Sequence, residues 1–404
     1  MPVNEWPDPI AFTRRPEDAA RSLGAGPVRT FLTVTLPALG PAIAAAAVLV
    51  FLFCATSFGI ITILGNAAYS TLETEIFRQT TENLDLPTAS VLSVLQILLV
   101  TAVLAAAGWL RRRTESTQRL RSATDTQKSV RRTDLPAVAV TAAMSMLLVT
   151  PMLTLVARSL QTPTGWGLGN YAALATAGQG QRFLVTGWQA LGNSLRTAVT
   201  AGVLALTVGV LLSLVLARRP RDPVPRRLIG VLDGAFMLPL GVSAATVGFG
   251  FLIALDSPPL DLRTSPLLVP IAQALVATPL VVRLILPTLR AADDRLRQAA
   301  AVLGASPARV WLTVDLPLMS RALAGAVAFA FAVALGEFGA TSFLVRPDRA
   351  TLPIVIGKLI GRPGAANAGM AFAAGVVLAL LCAGCVLAVD RLGGRDRGGI
   401  GVFS

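Results

Sequence analysis

Apolar residues along this chain gather into long uncharged runs separated by short polar stretches. Crossing a bilayer core of about 30 Å takes about 20 apolar residues of helix. Eight runs reach that length: Ala38–Leu64, Thr88–Leu110, Pro136–Ala157, Ser194–Ala217, Gly234–Leu255, Ser265–Leu286, Leu318–Leu344 and Asn367–Val389. The pattern predicts an all-α, polytopic transmembrane helical bundle of about eight spans.

The polar stretches between the runs alternate in charge. Arg111–Asp134, Arg218–Arg227, Arg290–Val314 and the tail from Asp390 are rich in arginine, whereas Asn66–Pro87 and Asp256–Arg263 are not. Basic flanks collect on the cytoplasmic side of a membrane, so both termini are expected there. Arg346–Arg362 runs against this trend with four basic residues on the expected outer side. The Arg-, Ser- and Thr-rich stretch 111–135 reads as a cytoplasmic linker. It separates a first part, residues 1–110 with two spans, from a second, residues 136–404 with six.

One polar stretch occurs twice. EDAARSLGAGPVRTFLTVTLP, Glu17–Pro37, returns 280 positions later as RQAAAVLGASPARVWLTVDLP, Arg297–Pro317. At this offset Ala19 pairs with Ala299, Leu23 with Leu303, Gly24 with Gly304, Pro27 with Pro307 and Leu36-Pro37 with Leu316-Pro317. The match continues through Phe58-Gly59 against Phe338-Gly339 and Thr71-Leu72 against Thr351-Leu352. An ordered, gapless set of this kind marks an internal duplication. Each copy predicts a short helix with a slim alanine face, a stop at Gly24 or Gly304, and a fresh start at Pro27 or Pro307 leading into the next span.

The pattern Asp18-Ala19-Ala20…Gly24…Val34-x-Leu36-Pro37, with Gln298-Ala299-Ala300…Gly304…Val314-x-Leu316-Pro317 as its second copy, resembles the EAA loop of binding-protein-dependent ABC importer permeases. GEFGATSFLVRPDRATLPIVIGKLIGRPG and TSFGIITILGNAAYSTLETEIF are similar to the fused permeases for thiamine or ferric iron, and to sulfate and molybdate permeases. The resemblance implies a MetI-like ABC importer permease fold. It also implies that Asp18, Ala19, Ala20, Leu23, Gly24, Gln298, Ala299, Ala300, Leu303 and Gly304 dock the cytosolic ATPase and transmit its movement. Asp18 and Gln298 stand where the family has glutamate, which removes the acid from the second copy. The implied partners are two copies of the ATPase, which would hydrolyse the ATP, and an extracytoplasmic substrate-binding protein; no cofactor is expected on this chain. The implied substrate is ferric iron or thiamine and the implied location is a bacterial inner membrane. Fused permeases of this type carry two modules of about six spans, so the first module here is expected to be incomplete, through truncation or a misassigned start, or completed by another chain that supplies the missing helices.

Composition sharpens this reading. Of the 404 residues, 54% are hydrophobic and only 14% charged, whereas soluble domains average about a quarter charged. The formal net charge of +13 would point to nucleic acid in a soluble chain, but here the arginines flank apolar runs, so no nucleic-acid partner is expected. Histidine is absent. The three cysteines, Cys54, Cys382 and Cys385, fall inside apolar runs and read as packing residues rather than a metal or disulfide site. With no phosphate-binding loop and no triad, enzyme chemistry is not expected.

The remaining candidates lie near the ends of the two homologous spans. Glu337 is the one acid deep in an apolar stretch, either lining a pathway or closing a helix end, and Ser57 is its counterpart. Phe58-Gly59 and Phe338-Gly339 recur at the same depth, as a symmetric constriction or as packing. Two rival readings stay open: an ATPase-independent secondary transporter, which typically needs more ionisable midplane residues, and an inactive permease remnant.

Overall fold

The computed structural model describes residues 16–65, 70–114, 135–176, 184–217, 223–241, 243–255, 261–262, 264–291 and 294–393. Most of the expected linker, residues 115–134, lies outside them. The chain divides into two compact units, one formed by residues 1–55 with 98–127 and the other by 56–97 with 128–404.

The first unit begins with α1 (Pro16–Ser22) and α2 (Pro27–Thr30), followed by a π-helical turn, Phe31–Thr35, and α3 (Leu36–Ala55). The second unit opens with α4 (Gly59–Leu64) and α5 (Leu72–Thr81). The long helix α6 (Leu86–Thr114) begins in the second unit and ends in the first. After it come α7 (Leu135–Leu160), a two-stranded antiparallel hairpin of β1 (Gln161–Thr162) and β2 (Gly165–Trp166), and α8 (Gly169–Ala173). Next are α9 (Gly187–Leu216), α10 (Pro223–Gly241), α11 (Ala244–Ala254) and α12 (Leu268–Ala291). The second repeat supplies α13 (Asp294–Val302), α14 (Pro307–Val310), a π-helical turn at Trp311–Asp315, α15 (Leu316–Gly336) and α16 (Gly339–Leu344). The described chain closes with α17 (Leu352–Ile360) and α18 (Ala365–Gly393).

Among the described residues, six helical stretches are long and apolar enough to cross a membrane. Three of the eight runs read from hydropathy are not single helices. Ala38–Leu64 breaks between Ala55 and Gly59, and Leu318–Leu344 breaks between Gly336 and Gly339. Gly234–Leu255 breaks between Gly241 and Ala244, where the Ser243 hydroxyl accepts from the Thr246 N–H at 3.0 Å and starts α11 anew. Hydropathy sums do not register such breaks, because one or two polar residues such as Ser57, Glu337 or Ser243 are averaged away by the apolar residues on either side.

The main core of the second unit lies where α9, α12 and α15 meet. It is built from small residues, Ala198, Ala201, Ala205, Ala277, Ala326 and Ala330, all fully buried. Small side chains bring helix backbones close where lipid offers no hydrophobic drive for association. Gly209 shows the limit: a Cβ there would lie 2.5 Å from Val281 Cγ1. A second core joins α9, α17 and α18, tied by the Leu352 N–H donating to Ser194 Oγ at 2.7 Å.

Candidate functional site

Both copies of the repeated stretch make the same backbone turn. In the first, the Gly24 N–H donates to Arg21 O at 2.9 Å and the Ala25 N–H to Ala20 O at 3.0 Å, with Gly24 at φ +82°. In the second, the Gly304 N–H donates to Ala301 O at 3.0 Å and the Ala305 N–H to Ala300 O at 3.0 Å, with Gly304 at φ +81°. This paired bonding around a left-handed residue is a Schellman stop, which glycine adopts without a Cβ clash. Beyond the stop, Pro27 and Pro307 each occupy a helix start, where a missing N–H costs nothing.

The π-helical turns that follow were not legible in the sequence. In them the Leu36 N–H reaches back five residues to Phe31 O, and the Leu316 N–H to Trp311 O. Pro37 and Pro317 come next, and neither can donate to the carbonyl four residues back. The wider turn accommodates that loss.

Each finger thus presents a short helix whose tip is bare. Leu23 and Leu303 are 88% and 86% exposed, Ala19, Ala299 and Gln298 are exposed, and Ala20 and Ala300 are half-buried. Asp18 lies in α1, but its side chain is outside those described. The second finger has a brace: Arg297 Nε donates to Asp315 Oδ1 at 2.8 Å, fastening α13 to the π-turn. The corresponding first-copy residues are Glu17 and Thr35, so that ion pair is not repeated.

The second group of candidates sits where α3 gives way to α4 and α15 to α16. Phe58 and Phe338 stack with ring centroids 5.6 Å apart and planes 25° from parallel. The ring of Phe77 meets Phe58 edge-on at 5.2 Å and Phe343 at 5.2 Å, and Phe249 stands 6.4 Å from Phe343. Glycines make room: a Cβ at Gly59 would lie 3.3 Å from Phe338 Cδ1, and one at Gly357 would lie 3.0 Å from Phe338 Cε2. Gly339 is pressed against α11, since a Cβ there would lie 3.1 Å from Ala244 Cβ and from the Ala245 nitrogen.

Glu337 turns back onto its own chain. Its carboxylate accepts from the Ala340 N–H at 2.7 Å, from the Thr341 N–H at 2.9 Å and from the Thr341 hydroxyl, and it is buried. It therefore covers the otherwise unpaired first N–H groups of α16. Gln273 of α12 donates to Thr341 Oγ1 at 3.1 Å and extends the arrangement into the helix core. Ser57, its counterpart, is half-buried beside Phe58.

The sequence reading passed over two buried acids, Asp315 of the brace and Glu73. Glu73 on α5 is fully buried, and its Oε1 accepts from Gln96 Nε2 on α6 at 2.8 Å. Gln96 Oε1 in turn accepts from the Thr246 hydroxyl on α11 at 3.0 Å, and Ser243 Oγ donates to Thr246 Oγ1 at 3.2 Å. Ser243 also leans on the carboxyl, yet no donor completes a bond to Glu73 Oε2. The available signal was the four-residue spacing of Glu73 and Phe77, which puts both on neighbouring turns of one helix.

Comparison with known proteins agrees with the fold and the repeat. Residues 12–116 and 209–395 match the family described as the binding-protein-dependent transport system inner membrane component. The chain is 32% identical over 190 residues to the molybdenum transport system permease protein ModB of Haemophilus influenzae, covering 44% of this chain and 81% of that protein. It is 25% identical over 386 residues to the thiamine transport system permease protein ThiP of Brucella abortus, covering 94% of this chain and 67% of that protein. It spans 38% of the Escherichia coli thiamine permease, at 28% identity. A bacterial ABC transporter involved in the import of the acidic polysaccharide alginate superposes with a TM-score of 0.52 at 17% identity, covering 65% of this chain and 96% of that one. The alginate transporter in complex with a pentasaccharide-bound periplasmic protein gives 0.51 at 18% identity, covering 66% and 96%.

Proposed function

Because the chain belongs to the binding-protein-dependent transport system inner membrane component family, and is an ABC importer permease subunit, we propose that its two fingers are the couplings through which a pair of cytosolic ATPases drives the membrane helices. The observation that carries this is the recurrence of one geometry: a Schellman stop, an exposed leucine tip and a π-turn leading into a membrane helix. An exposed leucine at the end of a short helix with a slim alanine face suits a groove on a partner. With the fingers on the ATP side, both termini face the cytoplasm of a bacterial inner membrane.

The aromatic cluster at the two helix breaks serves as the constriction of the pathway. Phe58 and Phe338 come from corresponding helices and meet ring to ring, so separating those helices would part them. An extracytoplasmic binding protein delivers the substrate, in line with the alginate transporter in complex with a pentasaccharide-bound periplasmic protein.

Thiamine is the substrate we favour, because the similarity to a thiamine permease runs through both repeats and covers 94% of this chain. Molybdate is the second reading, favoured by the higher identity to molybdenum permeases over a shorter stretch. Ferric iron rests only on the sequence resemblance.

Cysteines placed singly at Ala20 and Ala300 test the coupling. Crosslinks to a co-expressed ATPase are expected from both positions, whereas crosslinks confined to positions at the opposite helix ends would reverse the orientation. Uptake of labelled thiamine against labelled molybdate in the reconstituted importer decides the substrate.

A further inference from the structure

Glu73 and Phe77 occupy successive turns of α5 and face different partners. Glu73 is joined through Gln96 on α6 to Thr246 and Ser243 on α11, while Phe77 meets Phe58 and Phe343 edge-on. Ile76 and Thr80 complete the buried face, and Thr81 points to solvent. This ten-residue helix is thus held by one polar chain and touches the aromatic cluster next to it.

The chain of bonds is complete except at Glu73 Oε2, which is buried without a donor. An ionised carboxylate in that setting is costly, and a proton on Oε2 turns an unsatisfied acceptor into a donor toward Ser243. Among the described residues no opposite charge offsets the carboxylate. Among the described residues α11 carries no titratable side chain, α6 has only Asp85 before its start and arginines at its far end, and on α5 itself Glu75 and Arg78 pair with each other at 2.8 Å.

We propose that Glu73 is the positioning residue of the aromatic constriction: as a neutral acid it clamps α5, and with it Phe77, to α6 and α11, and loss of its proton releases the helix. The inference rests on the constriction reading of the cluster. Glu73 lies outside the membrane-spanning helices, and burial pushes its carboxyl up to about 7 against the opposing pull of Ser243 and Gln96.

The sign follows from proton linkage. The clamped state holds the proton more tightly than a released state in which Glu73 is hydrated and titrates near 4.5. The clamp is therefore strongest in acid, weakens by about tenfold per pH unit as pH rises from 4.5 towards 7, and changes no further above that.

The test reads the helix and not transport. In the full chain in lipid nanodiscs, with Cys54, Cys382 and Cys385 replaced by alanine, Thr80→Cys reports the buried face of α5 and Thr81→Cys the exposed one. The ratio of their maleimide labelling rates removes the thiol's own pH dependence. Between pH 5 and pH 7 the ratio is expected to rise by more than tenfold. Glu73→Gln, whose amide mimics the neutral acid, should hold the ratio low and flat, and Gln96→Leu should raise it at pH 5. A ratio that ignores pH, or that rises equally in Glu73→Gln, overturns the proposal. A constriction reading that fails would show instead as normal, tight transport in Phe58→Ala, leaving the labelling pattern in place.

Discussion

Phe58 and Phe338, exact counterparts in the internal repeat, stack on one another at 5.6 Å. The duplication thus brings its two copies into direct contact where the homologous helices break. Each ring belongs to the residue just before a glycine-initiated half-helix, α4 or α16, and the missing Cβ of Gly59 leaves room for the Phe338 ring. The pair is not surrounded symmetrically: Phe77 of the first copy corresponds to Gly357 of the second.

Removing either ring should open a leak. Phe58→Ala and Phe338→Ala are each expected to cost about 3–5 kcal/mol of stability if the cavity stays unfilled, and to allow thiamine to cross proteoliposomes without ATP. The double variant should cost less than the sum, with a coupling of about 1 kcal/mol. Flux assays and thermal melts of all four forms give both values.

Coupling should fail when the finger's stop is altered. Gly304 sits at φ +81° with nothing within 4 Å of an added Cβ, so any penalty for substitution is conformational rather than steric. Gly304→Val should cost about 1–2 kcal/mol locally and separate ATP hydrolysis from uptake while the protein still inserts, and Gly304→Asn should be milder. Parallel ATPase and uptake assays with Gly24→Val ask whether both fingers are needed.

Close approach of α11 and α16 depends on Gly248, where a Cβ would lie 2.7 Å from Ala340 Cα. Because the obstacle is backbone, Gly248→Leu should destabilise the fold by at least about 1–3 kcal/mol and lower the recovery of folded protein. Gly192→Ala on α9 has open space around its Cβ and should be neutral or slightly stabilising. Fluorescence-detected size-exclusion melts separate the two.

The Arg297–Asp315 brace predicts that the two fingers differ. Asp315→Asn should reduce ATPase-coupled uptake, and restoration is expected in Arg297→Asp/Asp315→Arg. Because Arg297 is partly open to water, the stability change should stay within about 1 kcal/mol. A double-mutant cycle in the reconstituted importer measures the pair.

Much of this architecture could be read from residue order. The offset between Ala19 and Ala299 led to both fingers, and the glycines at 24 and 304 located both stops, because each depends on neighbours within a few residues. What escaped depends on distant partners. Glu73 lies in a stretch that reads as a polar loop, and its burial is created by Ser243 and Thr246 about 170 positions away in sequence. Glu337 was recognised as unusual, but only the break at Phe338 shows its carboxylate turned onto the N–H groups of α16. The breaks at Thr56–Phe58 and Glu337–Phe338 were hidden because hydropathy is averaged over a window longer than the break.

The π-turns fix the angular phase of the helices that follow them. One residue added to a turn rotates every later side chain by about 100° relative to an uninterrupted α-helix. Deleting a single residue from 311–315 would shorten α15 hardly at all, yet would swing its buried alanine stripe, Ala326, Ala330 and Ala334, about a quarter turn off α9 and α12. The proline after each turn therefore sets which face of the membrane helix meets the core, from a position outside that core.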